Sequence, residues 1–533
     1  MKFFSRLTWI SLLTFAILSS VTLLFNGNRQ IRQGRIVHCV NDRALGVVRT
    51  YLNSTVDDDI PVLLRGILGR SGSRVVWKKL SRDPTAADSW IKIAHLLQKR
   101  RGYHSDGLAV TVEGNVSFGP PLVNHSDRDA LDEVLDPDKI DVMRHLLYET
   151  LGYRNDRAKI RQREDAPLIV KERLVSDESP SYVKFQAGIR RYSLYTNLSQ
   201  VNELLWDMAI EPIIDVIQVK GGTQIKLLFE LGDGNVAIFK PMRFSRDTET
   251  LLNHFYFSDY ERHTAEIAAF HLDRILDFRK VPPVTGRVVN VTRDIWHLTS
   301  DKTLKKTVFI SPVGSVCFFG KCSYYCDSNH AICGRPELLE GSMAVFIPEV
   351  EFAERRKWRH PWKRSYSRKE RAQWEKDPDY CDKVRITDPY NKTKHLLDIM
   401  DMAVFDFITG NMDRHHYETF IDFGNETFPI LFDNGRGFGK TGHDEMSILA
   451  PVYQCCLFRA STLDKLLILQ TGKDKKLSQL MRESLSSDPL AEVLTQRHLA
   501  ALDRRVEKIL SVVSRCIREN KKRGPGVIID DGF

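Results

Sequence analysis

Apolar and polar positions alternate along residues 216–240, VIQVKGGTQIKLLFELGDGNVAIFK, on both sides of a Gly-Asp-Gly-Asn segment. Side chains of a strand point to opposite faces in turn, so this pattern predicts a hairpin closed by a tight turn. The period then changes. In 258–278, SDYERHTAEIAAFHLDRILDF, the apolar residues Ala265, Ala268, Leu272, Ile275 and Leu276 recur at helical spacing. Ser258 and Glu261 have the spacing of a capping box at the start of that helix. Further on, SMAVFIPEV (342–350) predicts a buried strand leading into a connector, and LLDIMDMAVFDFITG (396–410) a core helix. The loop NMDRHHYE, a strand FPILFD and the segment DNGRGFGK follow, and 461–519 reads as C-terminal helices. Residues 26–160 are polar and irregular: a stem, with a helix at 138–152. The chain shows no internal repeat. Strands come first and helices dominate later, so the expected class is α+β, with a small β-rich lobe before a larger, mainly helical one.

Composition sets outer bounds on this picture. At 533 residues the chain has room for two to four structural units, and 42% hydrophobic with 28% charged residues argues against wholesale disorder, collagen or coiled coil. Lys plus Arg exceeds Asp plus Glu by 78 − 69 = 9, which permits an acidic partner without requiring nucleic acid. Residues 7–25, LTWISLLTFAILSSVTLLF, carry no charge. As a helix they would span about 28 Å, and Lys2 and Arg6 before them orient residues 1–6 to the cytosol and the rest to the lumen. The run is long and lacks a small-residue exit, which favours a signal anchor over a cleaved signal peptide. Seven Asn-x-Ser/Thr sequons, at Asn53, Asn115, Asn124, Asn197, Asn290, Asn391 and Asn425, agree with a lumenal body. So do the cysteines. Cys317, Cys322, Cys326 and Cys333 cluster, Cys381, Cys455, Cys456 and Cys516 follow, and Cys39 stands apart. Eight in an oxidising compartment read as four disulfides, whereas a zinc site lacks a second half with matching spacing.

Several residues have the chemistry of phosphoryl transfer, in a sensible order. Lys240 ends the strand VAIFK, where an ammonium could meet phosphate oxygens. Glu261 and Glu266 lie on the following helix. Asp413 occupies a loop between helix and strand, where a base for an attacking hydroxyl belongs. Asp433 opens DNG at the end of an apolar strand, where a metal-binding carboxylate belongs. Lys240, Glu261, Glu266 and Asp433 each have a bland alternative: a strand-edge lysine, a capping box, a surface glutamate, an Asn-Gly turn. Their joint order is the stronger signal. There is no G-x-G-x-x-G, G-x-x-x-x-G-K-[ST] or H-R-D, which excludes ordinary protein kinases and P-loop enzymes by motif. A metal hydrolase built on His415 and His416 lacks H-E-x-x-H. The basic run 355–376, RRKWRHPWKRSYSRKERAQWEK, reads as a solvated face or amphipathic helix, or else as a groove for an acidic substrate. A lumenal address argues against single-stranded nucleic acid as its ligand.

The segments HFYFSDYERHTAEIAAFHLDRILDFRKVPPVTGR, CSYYC, DPDYC, GNMDRHHYETF and LFDNGRGFGK closely resemble the secretory-pathway kinases that include the Golgi casein kinase. The resemblance covers roughly 165–520 and implies a bilobal, atypical kinase-like fold over 161–520 with a flexible tail at 521–533. It implies that Asp413 is the catalytic aspartate and that Glu261 and Asp433 contact the metal. Lys240, Gln224, Glu418, Asp433 and Lys226 would contact nucleotide. Glu266 would hold Lys240, and Ala344, Val345, Phe346 and Ile347 would hold adenine through backbone groups. The implied disulfides are Cys317–Cys333, Cys322–Cys326, Cys381–Cys455 and Cys456–Cys516, leaving Cys39 unpaired. The implied activity is transfer from ATP, with Mn²⁺ or Mg²⁺, to serine in Ser-x-Glu or Ser-x-phosphoserine of secreted proteins, in the Golgi lumen or after release by stem cleavage. The same family holds a xylose kinase and a pseudokinase. A glycan acceptor, a pseudokinase role, and association with itself or with a pseudokinase are the rival or added expectations. The pseudokinase carries Gln where this chain has Glu261, which implies that this chain is active.

Overall fold

A computed structural model of the chain describes residues 134–155, 175–348, 353–472, 475–520 and 526–532. The expected anchor at 7–25, Cys39 and the sequons at Asn53, Asn115 and Asn124 lie outside the described residues. No described helix is long and apolar enough to cross a membrane.

Helix α1 (Pro137–Arg144) continues as a wider turn over His145–Thr150, capped by the Asp136 carboxylate on the Lys139 N–H. Within the expected stem, it buries Met143 and Leu147 in the core and sends Tyr148 Oη to Asp464. Helices α2 (Ser181–Ala187) and α3 (Leu198–Ile210) follow. Next come strands β1 (Ile213–Gln218), β2 (Leu227–Leu231) and β3 (Val236–Pro241). The hairpin read from the alternation is β2–β3 around Gly232–Asn235, in register Leu227 with Phe239 and Glu230 with Val236. Strand β1 extends it through a separate turn, where Gly221 and Gly222 both take positive φ, which glycine adopts without a Cβ clash.

Helix α4 (His263–Leu276) and strand β4 (Val284–Asn290) come next. The short helix α5 (Lys302–Lys305) precedes a small sheet of β5 (Phe309–Ile310), β6 (Val316–Phe318) and β7 (Ile332–Cys333). Strand β8 (Leu338–Val345) completes an antiparallel five-stranded sheet in the order β1-β2-β3-β8-β4. The expected capping box at Ser258 is absent. Ser258 sits in a separate 3-10 turn with its Oγ on Phe255 O, and α4 starts at His263 with no side-chain cap on its first turn. Glu261 is thereby free of a capping role.

The second lobe begins with β9 (Arg355–Arg359), which pairs antiparallel with β10 (His416–Phe420). The start of the basic run is therefore a strand and not an amphipathic helix. Pairing with β10 along its whole length satisfies one edge of its backbone, and Arg356, Lys357 and Arg359 stay exposed. Helix α6 (Tyr380–Arg385) leads to the core helix α7 (Thr393–Thr409), whose end is closed by Gly410 in the left-handed region. The apolar run FPILFD does not form a strand. Only Ile430 bridges, to Glu418, and Leu431 N–H turns instead to Lys280 O. Helices α8 (Ala450–Cys455), α9 (Ala460–Thr471), α10 (Leu477–Leu485) and α11 (Gln496–Glu519) complete the lobe. Strand β11 (Phe458–Arg459) pairs in parallel with β12 (Ile528–Ile529).

That last pairing corrects the expected flexible tail. Val527 and Ile528 are buried, and Arg459 Nη2 bonds Asp531 at 2.9 Å. The same guanidinium reaches Asp398 and Asp401 on α7, so the tail closes a buried charge cluster that also holds Lys280. Four cysteine pairs lie at bonding distance: Cys317–Cys333, Cys322–Cys326, Cys381–Cys455 and Cys456–Cys516.

Candidate active site

Lys240 lies near the end of β3, where the alternation turns its side chain off the sheet toward α4. Its Nζ stands 2.5 Å from Glu266 Oε1, 2.9 Å from Glu261 Oε2 and 2.9 Å from Asp433 Oδ1. Lys226, at the entrance to β2, adds a second ammonium 3.3 Å from Asp433 Oδ1. Three carboxylates thus converge on two cations. Burial would lower the Lys240 pKa, but Asp433, Glu261 and Glu266 outweigh it and hold the ammonium well above its usual value. Lys240 and Lys226 hold Asp433 well below the usual carboxylate range. Burial would raise Glu261, yet the same two lysines bring it down. Lys240, Glu261 and Asp433 therefore carry their charges at neutral pH.

Asp433 takes the left-handed backbone conformation, φ 52°, and about half of its side-chain surface stays open, 49%. Two interactions set that turn. Asn434 N–H donates to Glu266 Oε2 at 3.2 Å, and Arg262 N–H donates to Gly435 O at 2.7 Å. Arg414 fastens the preceding loop to the same turn. Its guanidinium bonds the buried Asp406, donates to Phe432 O and meets Asn434 Oδ1 at 2.6 Å. Asp413 lies one residue before it, held by its own N–H on Asn411 Oδ1 at 3.0 Å. Its Oδ2 accepts from Arg436, while its buried Oδ1 has no hydrogen-bond partner.

The other expected nucleotide contacts are spread around this centre. Gln224 is buried in the β1–β2 turn, bridged through its backbone to Tyr325, with Nε2 3.5 Å from Asp259 O. Ala344 and Val345 end β8, and Ile347 is buried beyond it. The N–H groups of Val345 and Phe346 are taken, by Pro283 O and Val236 O, so neither is free to donate to a base. Glu418 lies on β10 with Oε2 3.0 Å from Arg355 Nε, paired there and not to the lysines. Of the sequons described, Asn197, Asn391 and Asn425 are exposed. Asn290 instead uses its amide, donating Nδ2–H to Glu337 and accepting from Arg293 N–H.

Glu261, Glu266 and Asp433 each offer a carboxylate oxygen, all within 4.8 Å of one another. Hard oxygen donors at that spacing suit Mg²⁺ or Mn²⁺. Glu266 therefore belongs to the candidate metal set as well as to the support of Lys240. The sequence reading overlooked Arg414, Asn434 and Arg436, although all three stand inside the segments NMDRHHYE and DNGRGFGK.

Comparison with known proteins agrees with this geometry. The family model for the Golgi casein kinase C-terminal domain, Fam20, matches residues 180–524. This chain belongs to the Fam20 family. Among Fam20 relatives, the human extracellular serine/threonine protein kinase FAM20C is 53% identical over 356 residues, 67% of this chain and 60% of that protein. The human pseudokinase FAM20A is 47% identical over 368 residues, 66% of this chain and 68% of that protein. A crystal structure of the Golgi casein kinase with Mn/ADP bound superposes with a TM-score of 0.67 at 37% identity, covering 75% of this chain and 94% of the other. The chain thus spans less than two thirds of the human kinase's length.

Proposed function

We propose that this Fam20 chain is a serine/threonine protein kinase of the secretory pathway that uses ATP and Mn²⁺ or Mg²⁺. The observation that carries the reading is the convergence of Lys240, Glu261, Glu266 and Asp433, together with a buried Asp413 oxygen that has no hydrogen-bond partner. Asp413 orients the acceptor hydroxyl and takes its proton as the oxygen bonds to the γ-phosphorus. The bond from that phosphorus to the β-phosphate oxygen breaks, and ADP leaves. Lys240 and Lys226 offer positive charge to the phosphate oxygens throughout. Glu261, Glu266 and Asp433 would hold the metal ion, which when bound neutralises the charge that develops on the transferring group.

The acceptor is serine in Ser-x-Glu or Ser-x-phosphoserine of secreted, acidic proteins. The exposed cations of β9 support this, as does the greater identity to the protein kinase, 53%, than to the human glycosaminoglycan xylosylkinase, 39%. The chain works in the Golgi lumen, anchored by 7–25 with its short N-terminal tail in the cytosol, and is released after cleavage in the stem. Association with itself or with a related pseudokinase completes the proposal.

A radiolabelled ATP assay on the secreted protein tests it, with Mg²⁺ and Mn²⁺ separately. The acceptors are a Ser-x-Glu peptide, its Ser-x-Ala variant and a xylose-containing linker glycan, with Asp433→Ala as control. Label on Ser-x-Glu alone, absent in the control, is the expected result. Label on the glycan alone would move the acceptor class to a sugar. No label on either would make this chain a pseudokinase.

A further inference from the structure

We propose that Arg436 is a positioning residue that fixes Asp413 and the β1–β2 turn in one register through the two arms of its guanidinium. The inference rests on the kinase reading above and adds a residue to it.

One arm, Nη1, bonds Asp413 Oδ2. The other, Nη2, reaches Thr223 Oγ1 at 3.3 Å, a residue 213 positions earlier in the chain. Thr223 sits between Gly222 and Gln224 in the turn, and its own carbonyl accepts from Tyr325 N–H. The guanidinium also lies 5.6 Å from the centre of the Phe257 ring. Only 8% of Arg436 remains exposed. A buried guanidinium is expensive unless its donors are matched, and here the matching groups are the proposed base and the turn beside the proposed nucleotide contact.

The consequence for Asp413 is asymmetric. Oδ2 is held by Arg436, and Oδ1 is buried without a hydrogen-bond partner. A carboxylate held by one oxygen presents the other in a fixed direction to an incoming hydroxyl. Arg436 also stands three residues after Asp433, on the same turn that Asn434 and Gly435 pin to α4. The proposed base, the metal-binding aspartate and the phosphate-side turn are therefore referenced to one short segment. Only a planar fork can hold two partners at a set angle. The ammonium of lysine lacks that geometry.

The test is steady-state transfer to the Ser-x-Glu peptide by R436A, R436K and T223V. Misplacing a reacting group by about 1 Å is expected to lower rate by about 100-fold. R436A should therefore lose about 100-fold in kcat, with KM for ATP changed by less than about 3-fold. R436K should stay within about 3-fold of R436A, because charge without the fork does not suffice. Guanidinium ion at non-denaturing concentration should restore R436A at least about 10-fold in kcat, which a structural role alone would not produce. T223V keeps the ion pair and removes one arm's partner, and should cost about 5-fold in kcat. It carries the test should R436A fail to fold.

A kcat of R436A equal to or above wild type overturns the role of Arg436 and leaves the kinase reading standing. So does a loss that guanidinium cannot restore in a folded R436A, or a T223V indistinguishable from wild type. Absence of transfer by wild type and variants alike overturns the kinase reading, and the role of Arg436 with it.

Discussion

A Cβ built on Gly435 would stand 2.8 Å from the Cβ of Glu261. Backbone and carboxylate stem are in contact there, because Gly435 O also receives the Arg262 N–H from the residue after Glu261. G435A should displace Glu261 and with it the cluster on Lys240. Overpacking of this kind costs about 1–3 kcal/mol, so the variant should still fold. Its transfer rate should fall by about 100-fold. Thermal unfolding measured beside turnover checks this, and a G435A with native turnover would show that Glu261 has room to move.

The three-carboxylate cluster predicts a metal-linked gain in stability. Mn²⁺ at about a hundred times its dissociation constant should stabilise the protein by about 2.7 kcal/mol. EDTA should reverse the shift. E261Q removes one charged ligand, and D433N another, so each should weaken or abolish the gain while the metal-free protein unfolds cooperatively. Equal Mn²⁺ stabilisation of wild type and both variants would place the ion elsewhere.

Glu340 on β8 predicts a pH dependence. Burial alone would raise its carboxyl, but His263 and Arg246, the latter 2.8 Å away, bring it down to about 2. A carboxylate whose pKa is depressed on folding stabilises the protein above its unfolded pKa, near 4.3, and loses that contribution as pH falls toward 2. E340Q should therefore cost roughly 3 kcal/mol at pH 7, with the gap to wild type narrowing from about pH 5 downward. Urea unfolding from pH 7 to pH 3 measures it. A gap that stays constant over that range would count against the assignment.

The small Cys322–Cys326 loop bears on activity more than on stability. It holds Tyr325, whose N–H bonds Thr223 O and whose hydroxyl donates to Ser258 O at 2.9 Å. Closing so short a loop contributes only about 2 kcal/mol in the chain-entropy account. C322S/C326S should leave the fold standing and raise KM for ATP by about 5-fold or more, through a looser β1–β2 turn. An unchanged KM would detach the loop from nucleotide binding.

The features legible in the sequence were those with a strong local pattern. Alternation around Gly-Asp-Gly-Asn gave β2 and β3, and with them Lys240. Helical spacing gave α4 and α7 within a few residues. What misled the reading was local pattern overruled by tertiary pairing. Ser258 and Glu261 have capping-box spacing, yet α4 waits until His263, because Arg262 N–H bonds Gly435 O, 173 residues away. FPILFD has strand composition, but its backbone serves Glu418 and Lys280 singly. The basic run keeps the exposed cations expected of a solvated face, but its start is a strand and not a helix, because β10 supplies a partner that no local pattern announces. Arg414 and Arg436 were invisible for a related reason. An arginine reads as surface charge until its acid partner, 8 or 23 residues away, is seen beside it.

The pairing of Arg459 with Asp531 makes the far end of the described chain a strut under the loop that carries Asp413. Asp531 helps to balance Arg459, Arg459 balances Asp398 and Asp401, and those two lie on the helix that ends at Gly410, three residues before Asp413. A tag that pulls on this segment, or a trim that removes it, would strip counter-charge from beneath that helix. Protein engineers handling this chain should treat residues 527–531 as part of the foundation of the helical lobe and place affinity handles away from them.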